Sequence, residues 1–477
     1  FRYYGFIFVK IYIHIVSIIN FLLKFNYFFL KYDIIIKQTK VRIKVITERK
    51  MDRKIYLCID LKSFFASCEC VERGLDPMTT NLVVADKDRG RGGICLAITP
   101  AMKRLGIKNR CRLFEIPDNV DYIIAKPRMK LYMDYSTKIY SIYLRYVDSA
   151  DIHVYSIDEC FLDITPYLKT YRMTARMFAK TLMRSVLDDT GISATCGIGT
   201  NLFLAKVALD VTAKHAPDMI GFLDDEEFKA KIWHHRPITD IWNVGRGIAN
   251  RLEKMGVYDL YGVTQLSEER LYEEFGVNAE LLIDHARGIE PCTIKDIKNY
   301  KSKTTGLSNS QILFKDYDYE SAFIVIKEMI DLLSLEITDK GYLAGSVSLY
   351  VGYGNKCVPS YSSTMKLKSH TNSFNMLKAS FRELYERGVS RKEPIRKVGV
   401  GLNNLVRADF SDRDLFTDDA ATVKETRARR SIAGIKDKFG KNSILRAMDY
   451  QEMATAKERN KLIGGHNGGE DEDFGKG

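Results

Sequence analysis

The sequence predicts an α+β protein of several domains, and three patterns carry that prediction. Between residue 51 and about 235, short apolar, β-prone runs alternate with helical stretches such as 128–146 and 172–188, as in an α/β unit built on an antiparallel or mixed sheet. Residues 236–295 change to helices flanking a Gly-x-Gly hairpin at Gly245 and Gly247. Residues 300–408 then run strand, helix, strand, strand, helix, strand, which is a duplicated split unit. A chain of 477 residues with 45% hydrophobic content can bury a core in each of about two to four domains.

Taken in order, the first fifty residues stand apart: Phe, Tyr, Ile and Lys dominate, and neither Ala nor Pro occurs. Their most apolar stretch, 11–23, lies between Lys10 and Lys24 and is shorter than the roughly 20 residues a spanning helix needs. No small-residue cleavage site follows it. The reading is translated sequence upstream of a start at Met51 in an AT-rich gene, with a membrane tether as the alternative. In 64–128, G-R-G-G at 90–93 is a flexible turn and A-M-K-R-L-G at 101–106 a helix with a glycine stop. In I-W-N-V-G-R-G-I-A-N-R-L the two glycines let backbone approach closely, so hairpin amides and a helix N-terminus can meet a phosphate. Within 300–408 the expected strands are 302–314, 344–353, 361–368 and 395–406, with helices at 319–338 and 373–388. The tail, 417–477, opens charged, carries the helical run I-K-D-K-F-G-K-N-S-I-L-R-A-M and ends Gly-rich and acidic, its final dozen residues expected to be disordered.

Chemistry is carried by two acidic stretches a hundred residues apart. Asp60 lies in I-D-L-K-S-F-F-A-S-C-E after the run Ile55 to Ile59, and Asp158 with Glu159 lies in Y-S-I-D-E-C-F-L-D after Ile152 to Ile157. Carboxylates at strand ends are fixed by a packed sheet, and a pair of divalent ions about 4 Å apart needs several of them, at least one bridging. Asp163 reads as a structural turn or strand-edge residue. The charge of +12 favours a polyanionic partner, though an anionic membrane surface or an RNA would suit it equally. Nine cysteines without a C-x-x-C pair point to a reducing cytosol and to no zinc site.

With Phe64-Phe65 following Asp60, and Ala205-Lys206 in F-L-A-K-V-A after the turn G-I-G-T-N, the chain from about Met51 onward resembles the Y-family translesion DNA polymerases, especially the bacterial UmuC-like branch. The resemblance implies a right-hand polymerase: a ferredoxin-like palm (51–63 and 129–217), small fingers (64–128), a helix-hairpin-helix thumb (218–297), a βαββαβ little finger (298–410) and a tail (411–477). It implies a cytoplasmic enzyme of damage tolerance that extends a primer on a DNA template with deoxynucleoside triphosphates and two Mg2+ ions, at low fidelity. Asp60 and Asp158 would bridge both ions, Glu159 would hold the ion at the primer hydroxyl, and the Leu61 carbonyl would complete the other.

The triphosphate would meet Lys103, Lys206 and the backbone amides of Ser63, Phe64 and Phe65, with Thr99 as a hydroxyl donor; Pro100 stands where many members have Tyr. Phe65 would be the steric gate beneath the sugar, and Phe64 a core residue. DNA backbone contacts would come from Gly245, Gly247, Lys301, Lys303, Lys366, Lys368 and Arg396. D-R-D-L-F at 412–416 resembles a sliding-clamp peptide with Asp412 in place of the usual Gln, leaving Leu415 and Phe416 for the pocket. A nucleotide cyclase with a similar palm, and a catalytically idle DNA-binding relative, are the rival readings. A cyclase is not expected to carry the hairpin or the little finger, and intact acids argue against an idle relative.

Overall fold

The apolar run before Asp60 becomes a central strand because both of its faces are covered: β1 (Tyr56–Leu61) is buried throughout except for the half-buried Asp60. The computed structural model describes residues 54–302, 306–355, 357–408 and 419–469. After β1 come α1 (Phe64–Val71), β2 (Leu82–Val84), β3 (Ala97–Ile98), α2 (Pro100–Arg104), β4 (Ile123–Ala125) and α3 (Met129–Tyr143). The chain continues through β5 (Ile152–Val154), β6 (Glu159–Asp163), α4 (Thr165–Tyr171), α5 (Ala175–Thr190), β7 (Ala194–Gly199) and α6 (Leu202–Val207). It then forms a π-helical turn (Ala208–Thr212), β8 (Ile220–Leu223) and α7 (Asp225–Lys231). Five short helices follow: α8 (Arg246–Lys254), α9 (Leu260–Thr264), α10 (Glu268–Phe275), α11 (Ala279–Ala286) and α12 (Ile294–Asn299).

Beyond them lie β9 (Gly306–Tyr317), α13 (Tyr319–Asp339), β10 (Tyr342–Tyr353), β11 (Tyr361–Thr371), α14 (Phe374–Gly388), β12 (Ile395–Asn403) and β13 (Val406–Arg407). The last elements are α15 (Asp419–Phe439), α16 (Ala456–Asn460) and the hairpin β14 (Leu462–Ile463), β15 (His466–Asn467).

These elements form two compact units, one running to Ser67 and resuming at Tyr135–Asn299, the other combining Cys68–Asp134 with the chain from Tyr300. The first unit is built on a five-stranded sheet ordered β5-β6-β1-β7-β8, antiparallel except for the β7–β8 pair, so the expected mixed sheet is found. Glycine decides how tightly α6 packs beneath it. A Cβ on Gly197 would sit 2.1 Å from the Ala205 carbonyl oxygen, and one on Gly199 2.1 Å from the Ala205 nitrogen. G-I-G-T-N is therefore mostly strand, not turn, with Asn201 capping α6 through a 2.7 Å bond accepted from the Leu204 amide. The helices α8–α11 share a core with α6 and α7 that includes Phe203, Phe228, Leu252, Leu271 and Ile283.

In the second unit, β11-β10-β12-β9 form an antiparallel sheet. Phe323, Ile326 and Ile330 of α13 and Leu377, Phe381 and Leu384 of α14 pack in one core with Val347, Leu349, Val398 and Val400 from the sheet. This is the expected βαββαβ order, with strand ends shifted by a few residues. The segment 82–125 forms a smaller sheet, β3-β2-β4, over Val83, Ile98, Met102 and Leu113. G-R-G-G falls at the end of a 3-10 turn, Lys87–Gly92, with Gly90 at φ 64°.

The tail is more ordered than its composition suggests. The acid in the apolar α13 that binds it, Glu328, is buried and accepts from the Thr455 amide (3.0 Å), the Thr455 hydroxyl (2.9 Å), the Ala456 amide (3.1 Å) and Arg459 (3.3 Å). One turn on, Asp331 takes Arg429 (2.9 Å) and Arg446 (2.8 Å). His466–Gly469, expected to be disordered, instead complete the hairpin and its exit. The Gly468 carbonyl accepts from the Lys130 amide at 3.1 Å, in the first turn of α3, where helix amides have no partner of their own. Residues 1–50 and the final eight lie outside the described residues. No helix among the described residues is long and apolar enough to cross a membrane.

Candidate active site

Sheet register brings the two acidic stretches together. Asp60 on β1 stands opposite Glu159 on one side and Thr195 on the other, and the Leu61 amide donates to the Asp158 carbonyl at 3.0 Å. The run before Asp158 is not one strand as expected. β5 ends at Val154, and the Tyr155 and Ser156 amides both turn back to the Glu159 carbonyl (2.9 and 3.1 Å). Asp158 thus sits in a tight turn, its carboxylate accepting from the Ser156 hydroxyl at 2.6 Å, and Glu159 opens β6.

The close approach of α6 to β7 delivers a cation to this cluster. Lys206 is buried and ion-paired to Glu159 and, at 3.0 Å, to Asp210 of the π-helical turn. Lys214 reaches Asp210 at 3.8 Å. Four carboxylates, those of Asp60, Asp158, Glu159 and Asp210, therefore face two ammonium groups, a formal deficit of two positive charges. The cost falls on Asp60: burial first, then the charges of Asp158 and Glu159, push its carboxyl from 3.8 up to about 7. Burial likewise raises Glu159, against the pull of Lys206. Burial works against the Lys206 charge, but Asp210, Cys58 and Glu159 outweigh it and hold the ammonium well above its ordinary value.

Such a donor set fits divalent cations, since hard oxygen ligands under mutual repulsion gain most from added positive charge. In the present rotamers Glu159 is turned to Lys206 and Asp158 to Ser156. Accordingly no group of three or more His, Cys, Asp or Glu among the described residues is drawn together in a ligating arrangement.

The loop after β1 adds a second feature. Ser63 has φ 51°, which reverses the chain into α1, and its hydroxyl is buried with no hydrogen-bond partner among the described residues. Phe64 is buried as expected of a core ring, whereas Phe65, 5.8 Å from it between centroids, is half-buried. The amides of Ser63 to Phe65 lie at the start of α1, where a helix offers donors to an anion.

Two family models match the chain, both described as impB/mucB/samB family: one over residues 59–210, the other, its C-terminal domain, over 305–415. A protein named for UV-damage repair, UvrX of Bacillus subtilis (strain 168), is 31% identical over 87% of this chain and 98% of its own length. The chain belongs to the impB/mucB/samB family. DNA polymerase IV 2 of the same organism is another relative, 30% identical over 87% of this chain and 99% of its own. Among solved structures, a Y-family DNA polymerase chimera, Dbh-Dpo4(243-245)-Dbh, is 20% identical, with a TM-score of 0.58 over 74% of this chain and 99% of that one. The fold is that of a Y-family polymerase.

The first family match spans every acid of the cluster, Asp210 included. Asp210 was missed from sequence, although its spacing of four from Lys206 places both on one helical face. Away from this cluster the expected residues divide. The Thr99 side chain is fully buried and caps α2, its oxygen accepting from the Leu82 and Met102 amides (3.2 and 3.5 Å). Lys103 is exposed on the last turn of α2.

The helix-hairpin-helix is reduced, its first helix being a single 3-10 turn, Ile238–Asp240, with Gly245 capping α8 and Gly247 inside its first turn. Neither glycine has φ above zero, and a Cβ on either would meet nothing within 4 Å. They are thus not packing residues, and the exposed backbone is open to close approach.

On the family's C-terminal domain, Lys366 and Lys368 alternate outward along β11, and Lys301 is exposed. Arg396 is exposed and paired with Asp316 at 3.4 Å. The face opposite α13 and α14 carries small and hydroxyl residues in register, including Thr364, Ser348, Gly401 and Ser308. That surface was missed because hydroxyl alternation looks like any solvated strand. Lys303, Leu415 and Phe416 lie outside the described residues.

Proposed function

We propose that the chain is a template-directed DNA polymerase that extends primers past damaged bases with deoxynucleoside triphosphates. The observation that carries this reading is the register pair Asp60–Glu159 beside the Asp158 turn, where burial and then the neighbouring carboxylates raise Asp60 to about 7. In this reading Asp60, Asp158 and Glu159, with the Leu61 carbonyl, hold two Mg2+ ions. Bound there, the ions neutralise triphosphate charge and lower the pKa of the primer 3′-hydroxyl.

The remaining work belongs to the protein. The α1 amides and the Ser63 hydroxyl orient the triphosphate, and Lys103 adds charge. Lys206 exchanges its hold on Glu159 and Asp210 for a phosphate oxygen. Phe65 lies under the sugar and excludes a 2′-hydroxyl by contact. Gly245, Gly247, Lys366 and Lys368 take backbone phosphates and so hold duplex without reading sequence. The relatives named for UV-damage repair and DNA polymerase IV support this reading, as do the fold and the open hydroxyl-lined sheet. A cytoplasmic location follows from the same reading, and binding of a sliding clamp by Leu415 and Phe416 remains part of it.

Primer extension with Mg2+ tests it: wild type extends, and Asp60→Ala, Asp158→Ala and Glu159→Ala each lose extension by at least about a thousandfold. Undiminished extension by Asp158→Ala overturns the assignment. Nucleoside triphosphate cyclisation without a template would favour the cyclase instead.

A further inference from the structure

The matched C-terminal domain ends at residue 415, but the chain builds a further module, 419–469, against α13. Its anchors are Glu328 and Asp331, whose bonds to Thr455, Ala456, Arg459, Arg429 and Arg446 fix it in place. Arg446 also lies over the Phe374 ring, 4.2 Å from its centroid. With these contacts spent inward, what faces outward is basic and aromatic. Apart from the inward Arg429, Arg446 and Arg459, residues 424–469 hold eight Lys and Arg against five Asp and Glu, of which Asp449 is buried.

Five of the outward side chains are tied into one patch. Asn442 donates to the Lys457 carbonyl (3.1 Å) and accepts from Asn460 (2.8 Å), which seats Lys441 beside α16. The Lys457 ammonium stands 3.7 Å from the Tyr450 ring centroid, and Lys438 stands 5.2 Å from that of Phe439. Both rings are 65% exposed. Lys436 is turned away, donating to the Lys441 carbonyl. The nearby acids do not neutralise the patch: Asp449 is buried as a cap, Glu458 pairs with Lys461 at 3.6 Å, and Asp437 and Glu452 point to solvent.

Exposed rings roofed by ammonium groups on a rigid support match what an unpaired strand offers: base faces to stack, and phosphates spaced along a flexible backbone. Duplex hides its base faces, so the rings would gain nothing from it. We propose that this patch is a second nucleic-acid site, taking single-stranded nucleic acid by stacking bases on Tyr450 and Phe439 and pairing phosphates with Lys438, Lys441 and Lys457. It does not depend on polymerase activity and is separate from the surfaces assigned above.

The test is fluorescence anisotropy of a 5′-labelled twenty-nucleotide oligo-dT with the full chain in EDTA, across a salt series. Lys441→Ala with Lys457→Ala weakens binding and flattens the slope of log K against log salt by about 1.4, the share of two phosphates. Tyr450→Ala weakens it about fivefold to a hundredfold with the slope unchanged, and Tyr450→Phe restores it. A bromodeoxyuridine oligonucleotide crosslinks to the peptides holding Tyr450 or Phe439. The variants keep wild-type affinity for blunt duplex and wild-type melting, which shows that they fold. Unchanged affinity and slope in the lysine variant overturn the proposal. So does an equal loss on blunt duplex, or displacement of the oligonucleotide from the wild type by a peptide of the chain's own acidic sequence E-D-E-D-F, 470–474, at lower concentration than by unlabelled oligo-dT.

Discussion

Replacing Asp60 by Asn should make the metal-free protein more stable while destroying its proposed activity. Asn keeps the shape of a protonated Asp without its charge. The Asp60 carboxyl sits at about 7 in the fold against 3.8 ordinarily, a difference of about 3 pH units, and each unit is worth 1.36 kcal/mol. The sign follows from proton binding: between pH 3.8 and 7 the folded chain holds a proton that the unfolded chain has released, so wild-type stability falls as pH rises through that window. Below about pH 4 the two proteins should be equal. Above pH 7 Asn should lead by up to about 4 kcal/mol, or about 8–16 °C at 2–4 °C per kcal/mol for a unit of 150–250 residues.

The assay is thermal unfolding in EDTA at pH 4 and pH 8, repeated in Mg2+, where wild type gains stability and the gap narrows. A variant that melts at or below wild type in EDTA at pH 8 would refute the claim that burial and the neighbouring carboxylates disfavour the Asp60 charge. Gain of stability on loss of a functional charge is a common exchange at active sites.

Three other outcomes are expected. Phe65→Ala should relax discrimination against ribonucleotides by roughly tenfold or more, about 1.4 kcal/mol, in single-nucleotide incorporation; unchanged discrimination would remove the gate role. Gly197→Ala should cost about 3 kcal/mol in urea unfolding, because the added methyl meets the Ala205 carbonyl and must push α6, and Lys206 with it, off the sheet. Glu328→Ala strands the buried Arg459 guanidinium and two backbone amides, at a cost of about 3–5 kcal/mol. It should speed tryptic cleavage within 419–469 before any within β9–β12, and equal cleavage rates in both regions would count against docking.

How much of this was legible in sequence depends on whether a signal was local. The strands and helices of 306–403 follow directly from alternation and from long amphipathic runs, and so their order was readable. Asp60, Asp158 and Glu159 were recognisable because each adjoins an apolar run, yet the turn at 155–158 was hidden by its apolar Tyr155 and Ile157, which extend the run on paper. Gly197 and Gly199 looked like turn residues because a glycine demanded by packing and one demanded by φ are written alike. The burial of Thr99 under a helix start was not readable because it is a tertiary fact. The docked tail was least legible, since its partners lie on α13. The one local hint was a pair of acids, Glu328 and Asp331, spaced by three on a helix whose residues 325, 326, 329, 330, 332 and 333 are apolar, where unpaired charge would be too costly to keep.

The bond from the Lys130 amide to the Gly468 carbonyl also sets an order of assembly at the ribosome. At about 5–20 residues per second, residue 468 is made roughly 20–70 s after residue 130. Throughout that interval the start of α3 must do without its eventual cap. The unit that contains it is interrupted by Tyr135–Asn299, so it cannot close until the last stretch of chain has emerged. Nascent chains stalled before residue 455 would thus expose the Glu328 side of α13 to chaperones and proteases, however well the first sheet had already formed.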